Sequence, residues 1–136
     1  MREIGQRDAP PLLDETRIAR LGVKQHALLR EVYLSCGAAP VVFAHSVLPY
    51  SSLVGPWVKL GRLGNRPLGT ALFANPQVRR ESMQFRKIDA RHPLYARATA
   101  VISRPPSGLW ARRSLFALTT RRILVTEVFL PDILTL

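Results

Sequence analysis

Cysteine is nearly absent from this chain of 136 residues, in which Cys36 is the only one. A single thiol excludes an intramolecular disulfide and a zinc site built on cysteine pairs, and it favours a reducing compartment. Long apolar runs are absent too. His45 interrupts the stretch 38–50 and Glu127 the stretch 123–136, so neither reaches the ~20 apolar residues of a spanning helix. We therefore expect a cytoplasmic protein that does not insert into a membrane.

Acidic side chains are also scarce, with 9 Asp and Glu against 20 Lys and Arg, which gives a formal net charge of +11. The basic residues are spread along the chain rather than gathered in a polybasic arm, and all except Lys24, Lys59 and Lys87 are arginines. Such a charge allows nonspecific nucleic-acid binding, a solvated arginine-rich surface, or capture of a dianionic metabolite. We expect a small anion as the ligand and no nucleic-acid partner.

The composition is that of a single folded domain over residues 1–136, with 47% hydrophobic residues. Strand-like segments occur as two pairs, each separated by a short turn region. The first pair, ALLREVYL and PVVFAHSVLP, flanks Gly37, and the second, LWARRSLFAL and RRILVTEVFL, flanks Thr119 and Thr120. Two antiparallel hairpins around a helical middle predict an α+β fold on a mainly antiparallel sheet.

Helices are predicted only in the central connection, whereas residues 1–26, which contain a Pro-Pro pair, are predicted to be irregular. The first predicted helix runs to Lys59, and the segment TALFA forms another. The predicted helices begin at Ser51 or Ser52, at Thr70, near Pro76 and at Pro93.

Two of the predicted strands carry one charged residue on an otherwise apolar face. Alternate residues of a strand share a face, so Arg30 lies with Val32, and Glu127 lies with Val125 and Phe129. Burying an ion costs several kcal/mol unless an opposite charge and hydrogen bonds compensate. Arg30 and Glu127 therefore either pair with each other or bind a polar ligand.

Two further polar features interrupt apolar strands. His45 lies in the apolar row of VVFAHSVL, and it is either a ligand contact or a core histidine bonded to the main chain. The neighbours Arg112 and Arg113 place one guanidinium on each face of their strand. Arg113, beside Leu115, is the candidate for a pocket, although a solvated rim is the reading we favour.

Several common chemistries have no motif in this chain. The histidines are not spaced as metal ligands, no glycine pattern matches a phosphate loop or a dinucleotide fingerprint, and no serine lies in a nucleophile elbow. We therefore expect neither a metal nor an organic cofactor.

Five segments, in order and with similar spacing, resemble the chorismate pyruvate-lyase family, which splits chorismate into 4-hydroxybenzoate and pyruvate at the head of ubiquinone synthesis. They are LLREVYL, PVVFAHSVLP, RPLGTALF, LWARRSLF and ILVTEVFLP, and the resemblance covers about residues 27–134. It implies a lyase that needs no cofactor and whose partners are chorismate and 4-hydroxybenzoate. We expect this lyase to be a monomer.

The resemblance assigns three site residues directly. The family's substrate-binding arginine falls on Arg30, its ligand-contacting leucine on Leu68, and its active-site glutamate on Glu127. It implies that Arg30 binds a carboxylate and that Leu68 binds through its main chain in a glycine-bearing loop. It also implies that Glu127 faces the oxygen end of the product. We hypothesise that Glu127 there hydrogen-bonds to or protonates the departing ether oxygen. A buried ion pair between Arg30 and Glu127, without a ligand, is the structural alternative.

The chain departs from the family in three respects. His45 stands where relatives carry a second active-site arginine, so it is predicted to bind substrate as a weaker carboxylate clamp, and His45→Arg is expected to tighten binding. The family has additional residues before the segment that holds Arg30, so the domain is expected to be N-terminally short. Thr119 and Thr120 replace a glycine-containing turn. These departures keep open a second function, a non-catalytic effector-binding module with the same fold.

Overall fold

Six antiparallel strands form one sheet in this computed structural model, which describes residues 2–18, 25–55, 57–58, 60 and 68–135. In chain order the elements are β1 (Arg2–Ala9), α1 (Leu13–Ile18), β2 (Ala27–Cys36), β3 (Ala39–Leu48), α2 (Tyr50–Leu53), α3 (Leu68–Phe73), β4 (Arg79–Asp89), α4 (Pro93–Thr99), β5 (Gly108–Leu118), β6 (Arg121–Phe129) and a 3₁₀ helix (Pro131–Thr135). The strands lie in the order β1, β2, β3, β6, β5, β4. Within the described residues, no helix is both long enough and apolar enough to cross a membrane.

Both predicted hairpins are confirmed. β2 pairs with β3 across a turn at Gly37, whose φ of 62° lies in the left-handed region that glycine adopts readily. β5 pairs with β6 across Thr119 and Thr120, with Leu118 opposite Arg121. Because β3 and β6 pair with each other, the two hairpins lie side by side, and the mainly antiparallel α+β architecture is confirmed.

The prediction that residues 1–26 are irregular is wrong for the part of that segment that the structure describes. β1 pairs along β2, from Arg2 opposite Tyr33 to Ala9 opposite Ala27, and α1 follows it. The proline pair comes after β1 and therefore ends this edge strand rather than preventing it. The sheet thus gains a strand beside the one that carries the predicted substrate arginine.

The helix predicted near Pro76 is also wrong, because β4 begins at Arg79 and forms the other edge of the sheet. Side chains of β4 are exposed on both faces along residues 79–87, so the segment lacks the alternation of apolar and polar residues that identifies a half-buried strand. β4 pairs with β5 along nearly its whole length, and this tertiary pairing decides its conformation.

Two predicted helices are confirmed and one is shorter than expected. α3 covers most of TALFA, and α4 begins at Pro93 as predicted. α2 spans only Tyr50–Leu53 and has no side-chain cap, since the hydroxyl of Ser52 donates instead to the Arg122 carbonyl at 2.9 Å. The predicted end of this helix, Lys59, lies outside the described residues.

The helices cover both faces of the sheet, which we name by the helix that covers them. On the α3 face, Leu72 of α3 packs in one buried cluster with Phe116 of β5. On the α4 face, Leu94 of α4 packs with Phe43 of β3 and Val128 of β6. Both faces of the central strands are therefore buried, and a polar side chain on either face needs a partner.

Thr119 generates a prediction about stability, because its φ of 57° is a left-handed conformation that a β-branched residue adopts at a cost. Asparagine tolerates this conformation, so Thr119→Asn should raise the free energy of unfolding by roughly 1 kcal/mol in urea titrations. Thr120→Asn is the matched control and should bring no gain. Equal stability of Thr119→Asn and the wild type would show that the turn is unstrained.

Candidate active site

A cavity of about 300 Å³ lies on the α3 face, between the sheet and α3. This volume is at the lower end of the roughly 300–1,000 Å³ that is typical of small-molecule sites. Apolar side chains form much of the wall, and polar side chains converge on it from five strands. These polar residues are Arg30 and Ser46 from β2 and β3, Arg80 and Arg112 from β4 and β5, and Glu127 from β6.

Strand register brings the predicted residues Arg30 and Glu127 to this cavity. Arg30 lies opposite Ser46, Ser46 lies opposite Val125, and Glu127 follows two residues later on the same face. Two strand spacings and two residues along a strand separate the Cα atoms of Arg30 and Glu127 by roughly 12 Å. Leu68, the first residue of α3, lines the same cavity. The structure thus brings three of the four predicted site residues together.

Arg30 places a permanent positive charge in a buried part of the cavity wall, with only 1% of its surface exposed. Its neighbours in the wall include the apolar side chains of Val32 and Ala44. A guanidinium stays protonated in proteins, and its interaction with an anion is stronger where water is excluded. Arg30 can therefore supply bidentate recognition of a carboxylate.

Glu127 is held by Arg112, which lies directly opposite it on β5. The Nε and Nη2 atoms of Arg112 both donate to Oε1 of Glu127, at 2.9 and 2.8 Å. The guanidinium carbon also lies 5.7 Å from the centre of the Phe129 ring, within cation–π range. Within the described part of the chain, no hydrogen bond uses Oε2 of Glu127. The pair therefore presents a carboxylate oxygen that can accept from a ligand hydroxyl.

Arg112 is the site residue that the sequence analysis missed. For Arg113 the sequence predicted either a position in the pocket or a solvated rim, and both predictions are wrong. Arg113 lies on the α4 face with a mostly buried side chain, and its Nη1 donates to Asp14 at 2.7 Å. A signal for Arg112 does exist in the sequence. With a two-residue turn in the second hairpin, counting back along both strands places Arg112 opposite Glu127.

The predicted position of His45 in the substrate cavity is wrong. His45 pairs with Glu31 across β2 and β3, whereas Arg30 pairs with the next residue along, so His45 lies on the α4 face. Its Nδ1 lies 2.8 Å from Oε2 of Glu31, and its Nε2 lies 3.0 Å from Oε2 of Glu15. These partners are carboxylates rather than the main chain. The expected tightening of substrate binding by His45→Arg therefore loses its geometric basis.

The His45 network is a buried set of charges that joins α1, β2 and β3. Burial lowers the pKa of His45, but hydrogen bonds to Glu15 and Glu31 outweigh burial, and the pKa is raised. Burial raises the pKa of Glu31, but the hydrogen bond with His45 and the charge of Arg97 at 3.3 Å give a net lowering. Arg113 approaches Glu15 at 3.9 Å. The imidazole of His45, between a carboxylate of α1 and a carboxylate of β2, thus ties α1 to the sheet.

Two other hollows lie nearer to α4, and neither matches the predicted chemistry. One has a volume of about 80 Å³, which leaves little room for an organic ligand. The other, of about 850 Å³, is a groove open to solvent beside Arg91 and His92. Among the residues that the structure describes, no group of three or more His, Cys, Asp or Glu side chains is arranged to hold a metal ion.

Comparison with known proteins identifies the family. Residues 11–135 match the family model described as chorismate lyase. A probable chorismate pyruvate-lyase of Nitrosospira multiformis is 54% identical over 123 residues, which are 90% of this chain and 68% of that protein. The chain therefore belongs to the chorismate lyase family of enzymes.

The fold is also shared by solved domains of low sequence identity, one of which comes from a putative transcriptional regulator. The C-terminal domain of Yurk from Bacillus subtilis superposes with a TM-score of 0.71 at 7% identity, covering 96% of this chain and 89% of that one. The ligand-binding domain of a putative GntR-family regulator from Bordetella bronchiseptica gives a TM-score of 0.67 at 18% identity, covering 96% and 85%. At such identities the likeness shows a common fold and carries no function with it.

The His45 network predicts how stability depends on pH. The pKa of His45 is raised above 6.5 in the folded state. The contribution of His45 to the stability of the fold is therefore complete below pH 6.5 and is lost as the pH rises through the folded-state pKa. The pKa of Glu31 is lowered below 4.5 in the folded state. The contribution of Glu31 to the stability of the fold is therefore complete above pH 4.5 and is lost as the pH falls through the folded-state pKa. The network therefore stabilises the fold most between pH 4.5 and 6.5.

Urea unfolding of the wild type and of His45→Gln, from about pH 5 to pH 9, measures this effect. The wild type should lose stability as the pH rises above 6.5, and His45→Gln should show a flatter profile. His26→Gln, which removes an exposed histidine beside Asp8, is the control and should keep the wild-type slope. Identical slopes for wild type and His45→Gln would contradict the role assigned to the network.

Proposed function

We propose that this protein is a chorismate lyase that eliminates pyruvate from chorismate and yields 4-hydroxybenzoate for ubiquinone biosynthesis. The observation that carries the proposal is the position of Arg30 and Glu127 around one cavity of about 300 Å³, in a chain of the chorismate lyase family. One side of this small cavity has a cation that can bind a carboxylate, and another has a carboxylate that can bind a hydroxyl. Such a cavity suits a ring that carries a carboxylate and a hydroxyl. The exposed single thiol of Cys36 suits a reducing compartment such as the cytoplasm.

The chemistry balances without a co-reactant. The bond between the ring carbon and the enolpyruvyl ether oxygen breaks, and the neighbouring hydroxyl-bearing carbon loses a hydrogen, so the ring becomes aromatic. The enolpyruvate gains a hydrogen at its methylene carbon and becomes pyruvate. Because aromatisation is strongly favourable, the protein needs mainly to orient the substrate and to stabilise the charge that develops on the departing oxygen.

Each site residue has a defined role in this proposal. Arg30 binds the ring carboxylate through its planar guanidinium. Glu127, fixed by two hydrogen bonds from Arg112, accepts a hydrogen bond from the ring hydroxyl beside the carbon–oxygen bond that breaks. Leu68 contributes its main chain at the start of α3, over the ring. His45 has no contact with substrate in this proposal, because it lies on the α4 face.

The fold also suits a second function, a non-catalytic module that binds a small effector, because a ligand-binding domain of a putative regulator shares it. One assay separates the two functions. The purified protein is incubated with chorismate, and pyruvate and 4-hydroxybenzoate are measured together. Release of both in equal amounts supports the lyase, whereas binding of chorismate without release of either product supports the module.

Replacing Arg30 tests the carboxylate contact. Arg30→Met preserves much of the side-chain volume but removes a charge-assisted bidentate contact, so KM for chorismate should rise about 30-fold, which corresponds to roughly 2 kcal/mol. Arg30→Lys keeps the charge without the planar fork and should fall between Met and the wild type. Thermal melting establishes that each variant is folded. An unchanged KM in a folded Arg30→Met protein would remove Arg30 from the site.

Replacing Glu127 tests the second contact. Glu127→Gln keeps the shape of the side chain but removes its charge, so the charge-assisted hydrogen bond from the ring hydroxyl is weakened and kcat should fall by about 100-fold. Asp89→Asn, which alters a carboxylate beside Arg91 at the end of β4, is the control and should turn over like the wild type. Near wild-type turnover of Glu127→Gln would exclude a contribution of this hydrogen bond to catalysis.

A further inference from the structure

Positive charge exceeds negative charge in the α3-face cavity. Among the described residues, three guanidinium groups line it, those of Arg30, Arg80 and Arg112, and one carboxylate, that of Glu127. Glu127 is bonded directly to Arg112, so the excess within the described lining resides on Arg30 and Arg80. The proposed contacts to 4-hydroxybenzoate, a monoanion, use Arg30 and leave the charge of Arg80 unexplained.

Arg80 lies at the edge of the cavity on β4, and its guanidinium is oriented by an aromatic ring. The guanidinium carbon lies 5.2 Å from the centre of the Phe116 ring, and Phe116 is itself part of the cavity wall. This cation–π contact stabilises the position of the guanidinium and does not use its N–H groups as hydrogen-bond donors. Nη1 of Arg80 donates a hydrogen bond to the sulfur of Met83 at 3.6 Å, and a thioether is a weak acceptor. Within the described part of the chain, Arg80 has no carboxylate partner.

We propose that Arg80 binds the second carboxylate of chorismate, the one on the enolpyruvyl side chain, and so distinguishes substrate from product. This inference rests on the proposed function. Chorismate is a dianion at neutral pH, and its two charges match the net two positive charges that the described residues give the cavity lining. The second carboxylate leaves with pyruvate, so Arg80 contributes to binding of the substrate and not to binding of 4-hydroxybenzoate.

The topology supports separate carboxylate sites at two ends of the cavity. Arg30 is on β2 and Arg80 is on β4, four strand spacings away in the sheet order, which is about 19 Å between backbones. Both side chains are long and line the same cavity, so their guanidinium groups approach its contents from opposite sides. Glu127 and Arg112 lie on β6 and β5, two of the three strands between them. A ligand with a carboxylate at each end and a hydroxyl between them fits this order of charges.

A matched pair of ligands tests the inference without depending on turnover. The first is a benzoate that carries the enolpyruvyl ether meta to its carboxylate, and the second has a methyl group in place of the ether's carboxylate. Both rings are already aromatic, so neither can react by aromatisation. Titration calorimetry on the full chain should show that the wild type binds the dicarboxylate about tenfold more tightly than the monocarboxylate.

Arg80→Met should abolish this preference, because the exposed contact to the second carboxylate is lost. The affinity for the monocarboxylate should stay within about twofold of the wild-type value, because the rest of the cavity is unchanged. With chorismate, KM should rise about tenfold, and the inhibition constant of 4-hydroxybenzoate should stay constant. Arg79→Met removes the same charge one residue away, where the side chain donates to the Thr119 carbonyl, and it should keep the wild-type preference.

An equal preference for the dicarboxylate in the wild type and in Arg80→Met would overturn the inference, as would an equal loss of preference in Arg79→Met. The proposed function fails separately. If the wild type releases no pyruvate but Arg80→Met loses the preference, the lyase proposal fails and the second carboxylate site stands. If pyruvate is released and the preference does not depend on Arg80, the lyase proposal stands and the assignment of Arg80 fails.

Discussion

Strand register in the centre of the sheet decides which side chains share the cavity. Side chains alternate between the two faces, so a slip of one residue in the pairing of β2 or β6 would send Arg30 or Glu127 to the α4 face. Tight turns at the two hairpin ends set the pairing within each hairpin, and the pairing of β3 with β6 sets the hairpins relative to each other. As a result, Ala44 lies beside Glu127 and Ser46 lies in line with Arg30. These small side chains leave room above the sheet, and α3 closes that room into a cavity.

The two faces of the sheet compensate buried charge in different ways. A buried ion costs several kcal/mol unless partners compensate, so neither face tolerates an isolated charge. On the α4 face the protein supplies both signs itself, with His45 between Glu15 and Glu31, and the result is structural. On the α3 face the described cavity lining holds one carboxylate, that of Glu127, and three guanidinium groups, so this lining keeps a positive excess that an anionic ligand can balance. The fold is shared at low identity with solved domains, one of them from a putative regulator, and the residues of this cavity rather than the fold distinguish the functions.

Much of the centre of the fold could be predicted from the sequence, but the edges could not. β2, β3, β5 and β6 carry strong apolar patterns, and their hairpins were predicted correctly. β1 and β4 are the edge strands. The side chains of β4 are exposed along residues 79–87, and most of the residues of β1 whose side chains are described are exposed too, so hydrophobic periodicity does not reveal these strands. Arg30 and Glu127 could be singled out because each is one charge on an apolar face. His45 could not be placed, because both faces of β3 are buried. The sequence of β3 does not show which of its faces lies on the same side of the sheet as Arg30. Arg112 required the hairpin register, which a pattern read along one strand does not contain.

The most direct measurement of the assigned site is a crystal structure of the protein with bound 4-hydroxybenzoate. We expect the ligand in the α3-face cavity, with its carboxylate on the guanidinium of Arg30 and its hydroxyl donating to Glu127. 4-Hydroxybenzoate bound on the α4 face beside His45, or bound in the cavity with its hydroxyl at Arg30 and its carboxylate elsewhere, would contradict the roles given to these residues.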